Sequence, residues 1–151
     1  MKDCGDNSCI EAYRGVIHCF EGDDVCRTMA EKIVSRLSGQ FVEISVSQKA
    51  NYHAAAVFAS NYPIILADIA RQRFIQCGFG ALQAQEASSR LLTQAASALA
   101  KALPVDALTG PGKRRDDETI AMHRRALSDD ADVLALYESL LSALNRMCGY
   151  T

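Results

Sequence analysis

The chain has 151 residues, 49% of them hydrophobic and 23% charged, which is enough to bury a core and within the usual size of one domain. Its net charge of −2 and isoelectric point near 5.9 exclude a strong overall basic field, so no nucleic-acid partner is expected. No apolar run reaches the roughly 18 residues that a membrane span needs, so we expect a soluble, cytoplasmic protein without a membrane partner.

The six cysteines match no familiar metal pattern. There is no CxxC pair and no HxxxH segment, so the templates for zinc sites fail and no metal site is predicted. The first 14 residues are polar and lack the apolar stretch of a signal peptide. The even count also allows disulfides, but free thiols in a reducing cytoplasm are the favoured interpretation. The cysteines are Cys4, Cys9, Cys19, Cys26, Cys77 and Cys148.

The N-terminal third shows a strand, a helix and a second strand. Residues 1–14 lack any period and are predicted to form a loose arm, whereas residues 15–46 are predicted to form a β-α-β unit. Asp23 is expected to cap the start of the helix, because its carboxylate can accept from the first free amides. The apolar face of this helix is predicted to contain Val25, Met29, Ile33 and Leu37, with Ala30 and Val34 beside them.

Two parallel strands make a poor sheet by themselves, because each needs neighbours and helical cover. Residues 15–46 are therefore interpreted as the remnant of a Rossmann-like nucleotide-binding domain whose earlier part is missing. No GxGxxG sequence follows a strand, and the glycines in residues 78–81 follow a helix, so the dinucleotide-binding fingerprint is absent.

From Ser47 onward the pattern is helical, and residues 47–151 are predicted to form one helical domain. Its first helix is expected to begin at Ser47, to run to about Cys77 and to kink at Pro63, which removes one hydrogen bond of the helix. At about 100° per residue, four polar side chains fall in one sector of this alanine-rich helix. They are His53, Ser60, Asn61 and Asp68.

Three more helices are predicted, so the fold class is mainly α. An alanine-rich helix at 81–102 precedes an irregular stretch at 103–119 that holds two prolines. Three acids at 116–118 favour the start of the next helix, and Ser128 is expected to cap the last. The inner face of the alanine-rich helix is predicted to consist of Leu91, Leu92, Ala95, Ala98 and Leu99.

Two segments carry a family resemblance. YHAAAVFASNY at 52–62 and LTGPGKRRDDETIAMH at 108–123 resemble the C-terminal domain of unknown function 2520, which follows a Rossmann-like domain in NAD(P)-dependent oxidoreductases. The resemblance covers residues 15–150. It implies similarity to the C-terminal domains of the 6-phosphogluconate dehydrogenase and ketopantoate reductase superfamily, which shape a substrate cleft and commonly dimerise. A homodimer, a Rossmann-like partner domain and a small-molecule substrate are therefore expected.

The resemblance also suggests catalytic residues on the first long helix. Related dehydrogenases often place a lysine four residues before an asparagine, but here Val57 stands four before Asn61. His53 is then the nearby side chain that can transfer a proton near neutral pH, with Asn61 or Ser60 orienting the substrate. Two structural alternatives remain open: His53 packs in the core, and Asn61 satisfies a carbonyl freed by the kink.

A basic turn supplies the predicted substrate-binding residues, which with Ser60 are Thr109, Lys113 and Arg114. Arg114 matches the family's arginine, whereas Arg115 replaces a residue that is usually glycine. The alternative is a tight turn at Thr109 whose basic residues are solvated and paired with neighbouring acids. His123 is expected to pack rather than to catalyse.

The predicted function is the C-terminal substrate-binding and dimerisation domain of an NAD(P)-dependent oxidoreductase. NADP or NAD is expected only if a Rossmann-like domain is supplied, and the chain alone is predicted to bind no cofactor and to be inactive. The alternative is a catalytically inactive, stand-alone helical module for dimerisation or partner binding. A nucleic-acid binder is a weaker rival because acids adjoin the basic residues.

Overall fold

A computed structural model describes residues 10–150, so residues 1–9 of the predicted arm lie outside the described residues. Residues 10–15 form a helical turn, in which the amide of Tyr13 donates to the carbonyl of Ile10 at 3.0 Å. The chain divides into two compact units, one ending at Ser60 and the other beginning at Asn61.

The first unit contains the predicted β-α-β arrangement. Strand β1 spans Ile17–Phe20, helix α1 spans Asp24–Arg36 and strand β2 spans Gln40–Glu43. The strands pair in parallel, with Ile17 opposite Gln40. Asp23 caps α1 as predicted, because its carboxylate accepts a hydrogen bond from the amide of Cys26 at 2.9 Å.

The predicted apolar face of α1 was wrong in part. Val34 is buried, at 7% exposure, and Ala30 and Leu37 are half-buried. Val25, in contrast, is 86% exposed, and Met29 and Ile33 are exposed as well. The apolar stripe of α1 is wider than the surface that a two-stranded sheet covers, so only one side of the stripe packs within this unit.

Helix α2 spans Lys49–Gln76 and follows a 3₁₀ turn at Val46–Gln48. The predicted start at Ser47 was wrong, because Ser45 precedes the turn and its amide donates to Oε1 of Gln48 at 2.8 Å. The helix continues through Pro63, and the kink there remains a prediction. None of its residues is buried.

Helix α3 spans Ala81–Leu99, and its predicted inner face was largely wrong. Leu91 and Leu99 are exposed, whereas Ala84 and Ser88 are buried. The hydroxyl of Ser88 donates to the carbonyl of Gln85 at 3.1 Å, so this buried hydroxyl has a hydrogen-bond partner within α3 itself. The buried positions of α3 are therefore small residues rather than its leucines, because small residues allow close approach of another segment.

The stretch predicted to be irregular contains two short helices, α4 at Pro104–Ala107 and α5 at Gly110–Arg114. Gly112 of α5 is buried, and a Cβ added there would lie 3.0 Å from Cδ1 of Leu144. The absence of a side chain at Gly112 therefore lets α5 approach the last helix closely.

Helices α6, at Asp117–Ala126, and α7, at Ala131–Cys148, complete the fold. The predicted Ser128 cap was wrong: Asp130 caps α7 by accepting from the amide of Val133 at 3.1 Å. Ser128 instead donates to the carbonyl of Arg125, because it still belongs to the turn that closes α6. The mainly α fold with a short parallel sheet is confirmed.

Candidate functional site

Three predicted site residues, His53, Ser60 and Asn61, lie on α2, and all three side chains are exposed. The hydroxyl of Ser60 donates a hydrogen bond to the carbonyl of Ala56 at 2.7 Å. Within the part of the chain that the structure describes, the imidazole of His53 has no hydrogen bond or ion pair. The catalytic roles of His53 and Asn61 remain predictions.

The other predicted residues surround α5. Thr109 is exposed at the N-cap position, in an extended conformation. The ammonium of Lys113 donates to the carbonyl of Val105, which ties α5 to α4. Arg114 is exposed. Lys113 thus already has a structural partner, and the substrate-binding roles of these three residues remain predictions.

Arg115 follows α5 in a left-handed conformation, with φ of 56°. Glycine adopts that conformation without steric cost, which agrees with the glycine that the resemblance implies at this position. The guanidinium of Arg115 lies over the ring of Tyr150, 5.3 Å from its centroid. The Tyr150 hydroxyl donates to the carbonyl of Lys113 at 2.8 Å, so the end of the chain holds this turn in place.

A cavity of about 150 Å³ opens beside the turn. It lies where α5, α6 and α7 meet, and its wall combines apolar side chains with two arginines, an acid and an amide. Its lining residues are Gly112, Arg115, Asp117, Ile120, Arg124, Leu141, Asn145 and Tyr150. Sequence reasoning did not find this cavity, because its residues are up to 38 positions apart (150 − 112).

Asp116 holds the start of α6. Its carboxylate accepts hydrogen bonds from the amide of Thr119 at 3.0 Å and from its hydroxyl at 2.8 Å. These two hydrogen bonds hold the pKa of Asp116 below its ordinary value, and the bond from the amide has the larger effect. The nearby charges of Arg114 and His123 lower the pKa further. The carboxylate is therefore charged at neutral pH and matches the positive end of the helix.

A histidine and a tyrosine pair across α6 and α7. Nδ1 of His123 lies 3.0 Å from the hydroxyl of Tyr137, and the rings meet edge to face with centroids 5.8 Å apart. Burial raises the pKa of Tyr137 above its ordinary value, although the charge of Arg124 opposes the shift. Arg124 itself binds Glu138 through two hydrogen bonds, at 2.6 and 2.9 Å.

No local signal in the sequence pairs His123 with Tyr137 or Arg124 with Glu138, because each pair joins residues 14 positions apart on two different helices. His123 packs, as predicted, and its ring nitrogen also contacts the hydroxyl of Tyr137.

Arg73, near the end of α2, binds the turn between α6 and α7. Its guanidinium donates to Asp130 at 2.8 Å and to Asp129 at 3.2 Å. Because Asp130 is also the N-cap of α7, one carboxylate serves both the ion pair and the helix start.

Two classes of site receive no support from the described residues. Among residues 10–150, no group of three His, Cys, Asp or Glu side chains converges as metal ligands would. No helix in the same range is long and apolar enough to cross a membrane.

Solved structures with this fold include protein TM1727 from Thermotoga maritima, with a TM-score of 0.81 and 27% identity over 88% of this chain and 53% of that one. The putative NADP oxidoreductase BF3122 from Bacteroides fragilis gives a TM-score of 0.68 and 22% identity over 85% of this chain and 48% of its own. The chain thus spans about half the length of these proteins. No curated protein matches significantly.

The sequence family described as "Domain of unknown function (DUF2520)" matches residues 16–144. The match includes helix α2 with His53 and Asn61, the turn that contains Arg114, and most of the cavity wall. It covers well over half of the chain and confirms the resemblance drawn from the two motifs, so the chain belongs to the DUF2520 family.

Proposed function

We propose that this chain is the C-terminal substrate-binding and dimerisation part of an NADP-dependent oxidoreductase, and that it acts together with a Rossmann-like domain. Membership of the DUF2520 family supports this proposal. So does the fold shared with BF3122, a putative NADP oxidoreductase of which this chain covers 48%. The remaining half of such a protein is where a cofactor domain would lie.

The observation that carries the proposal is the exposed apolar surface of α2. Ile64 is 66% exposed and Ile65 53%, in a helix of 28 residues. Large apolar side chains exposed to water are unfavourable, and exposed apolar surface marks interfaces. We assign this surface to contacts with a second copy of the chain, in a homodimer.

Among the described residues 10–60 of the first unit, we propose no site for NADP. A pyrophosphate binds at the N-terminus of a helix that follows a strand, where amides point at the ligand. Here the carboxylate of Asp23 occupies the N-terminus of α1 and accepts from the amide of Cys26. That hydrogen bond lowers the pKa of Asp23, so a negative charge would face the phosphates. The described residues at this helix start therefore do not fit the cofactor, and we assign its site to another domain.

In the proposed enzyme, residues of α2 act on the substrate. His53 donates or accepts the proton at the reacting oxygen, because an imidazole ring has one nitrogen that donates and one that accepts. Asn61 and Ser60 orient the substrate, and Thr109, Lys113 and Arg114 contribute polar groups toward a small acid. Each role is testable by substitution.

The test joins the full chain to a Rossmann-like domain carrying GxGxxG, either fused upstream or supplied as a separate protein. Reconstitution is expected to give NADPH binding by fluorescence and NADP reduction with a panel of small acids and alcohols. His53→Gln and Asn61→Ala should lower kcat by about a hundredfold or more. Asn51→Ala is the matched control, because it removes the same amide from an exposed position of α2 outside the proposed site.

Three results would contradict the proposal in different ways. Full activity of His53→Gln and Asn61→Ala would remove their catalytic roles. Tight NADP binding by the chain alone in calorimetry would place a cofactor site where we propose none. A stable dimer that gains neither cofactor binding nor turnover in the reconstituted protein would favour the stand-alone dimerisation module.

A further inference from the structure

We infer that the cavity beside Arg115 binds a small oxyanion, either a carboxylate or a phosphate group, through the guanidinium of Arg115 and the side-chain amide of Asn145. The inference rests on the proposed function only in assigning this anion to the substrate. The binding itself is a property of the chain alone and is measured there.

The distribution of charge around the cavity singles out Arg115. Arg124 also lines the cavity, but Glu138 neutralises it with two hydrogen bonds. Lys113 donates to a main-chain carbonyl, and Arg114 does not line the cavity. Among residues 10–150, no carboxylate forms an ion pair with Arg115. Arg115 is thus the cavity-lining cation whose charge remains available to a ligand.

Arg115 is also held in one place. Its left-handed backbone closes α5, and its guanidinium lies against Tyr150, 5.3 Å from the ring centroid. Tyr150 is fixed at both ends: its hydroxyl donates to Lys113 at 2.8 Å, and its amide donates to the carbonyl of Asn145 at 2.9 Å. A guanidinium lying on an aromatic ring keeps its in-plane N–H groups free to bind an oxyanion. Less entropy is lost when a group held in this way binds a ligand.

The amide of Asn145 provides the second donor. This side chain is half-buried, lines the cavity and makes no hydrogen bond with any residue of the described range 10–150. A half-buried amide without a protein partner binds water or a ligand. An –NH₂ group and a guanidinium in one wall form donors suited to a carboxylate or phosphate.

The volume of the cavity and the charges in its wall restrict the class of ligand. The cavity measures about 150 Å³, and a single water requires only about 10–15 Å³, so a molecule of several heavy atoms fits. Asp117 also lines the cavity, and its negative charge disfavours a ligand with several charges. A small molecule with one oxyanion is therefore the expected class.

The experiment is an NMR titration of the full ¹⁵N-labelled chain with sodium acetate and, separately, with inorganic phosphate, at constant ionic strength set with chloride. Saturable shifts are expected at the amides of Gly112, Arg115 and Tyr150 and at the side chain of Asn145. Arg115→Gly should weaken binding by about ten- to a hundredfold, because a hydrogen bond with a charged donor is lost. Glycine is chosen because it accepts the φ of 56°, so the fold is retained.

Two further variants complete the test. Arg115→Lys should keep part of the affinity, because it preserves the charge but not the paired donors. Arg125→Gln is the matched control: this exposed arginine on α6 lies outside the cavity wall, and its loss changes the net charge equally. Saturable binding of either probe supports the inference, and the tighter probe tells a carboxylate site from a phosphate site.

Several outcomes would overturn the inference that the cavity binds an oxyanion. These are non-saturating shifts with both probes, unchanged affinity in Arg115→Gly, and equal losses in Arg115→Gly and Arg125→Gln. Binding that is lost in Arg114→Gln but kept in Arg115→Gly would move the anion to the exposed turn and also contradict the inference. Failure of the reconstituted enzyme to turn over affects only the proposed function, so the two proposals fail separately.

Discussion

Helix α2 and the C-terminal segment from Pro104 onward use their side chains in opposite ways. The C-terminal segment uses several polar side chains in contacts of its own: Asp116 and Asp130 cap helices, and Tyr150 binds the carbonyl of Lys113. It also contains two buried residues, Gly112 and Ile120. Helix α2, with 28 residues, buries none of them.

This difference separates contacts formed within the chain from exposed apolar surface that we propose a second copy covers. Hydrogen bonds and caps within the C-terminal segment stabilise it, together with the ion pairs that Arg73 of α2 forms with Asp129 and Asp130. Exposed apolar residues of α2 such as Ile64 and Ile65 gain stability when another surface covers them. Substitutions in α2 should therefore alter assembly, whereas substitutions in the C-terminal segment should alter the stability of the chain itself.

The largest expected effect concerns assembly. Ile64→Glu places a charge on the surface assigned to the homodimer, and an unpaired charge in an apolar interface is strongly unfavourable. We expect the dimer dissociation constant to rise by about a hundredfold or more, as measured by sedimentation equilibrium. Gln94→Glu, which adds the same charge at an exposed position of α3, is the control. An unchanged dissociation constant for Ile64→Glu would remove α2 from the interface.

A substitution at Gly112 tests the close contact of α5 with α7. A Cβ there would lie 3.0 Å from Cδ1 of Leu144 and 3.4 Å from Cδ1 of Leu141. Gly112→Leu should overpack this contact and lower the free energy of unfolding by about 1–3 kcal/mol, as measured by urea denaturation. Ala135→Leu adds the same bulk at an exposed position and should change stability little. Equal effects of the two variants would mean that α5 and α7 are not closely packed.

Loss of the Tyr137 hydroxyl should have a smaller effect on the free energy of unfolding. Tyr137→Phe removes the hydrogen bond to Nδ1 of His123 but keeps the aromatic contact. The free energy of unfolding should fall by about 1 kcal/mol. Combining Tyr137→Phe with His123→Ala in a double-mutant cycle isolates the coupling. Strictly additive losses would show that the two side chains do not interact.

The smallest expected effect is a change with pH in the contribution of Asp116 to stability. The pKa of Asp116 is lower in the folded chain than its ordinary value near 4. Its stabilising contribution is therefore present above about pH 4 and is lost as the pH falls through the folded pKa. The difference in melting temperature between the wild type and Asp116→Asn should be constant near neutral pH and shrink below about pH 4. Asp132→Asn, an exposed acid that is not the N-cap of α7, should show no such trend.

Local signals in the sequence predicted much of the fold. Three of these signals depend only on neighbouring residues and can be recognised without tertiary information. They are the alternation of apolar and polar residues in the strands, the Asp23 cap and the helical period of the long segments. Burial could not be read in the same way. Val25 and Leu91 have the pattern of inward-facing residues, yet they are exposed, because burial depends on which surface another element covers.

The sequence by itself determined the family, the mainly α fold and the candidate residues His53, Asn61 and Arg114, because family motifs and helix periods are written in adjacent residues. Only the tertiary structure joined Arg115 to Tyr150 and Asn145 in one cavity, and His123 to Tyr137 across two helices. These contacts arise from the close approach of α5, α6 and α7, which depends on packing at Gly112 and Ile120. Packing of that kind connects residues distant in sequence, and no local pattern specifies it.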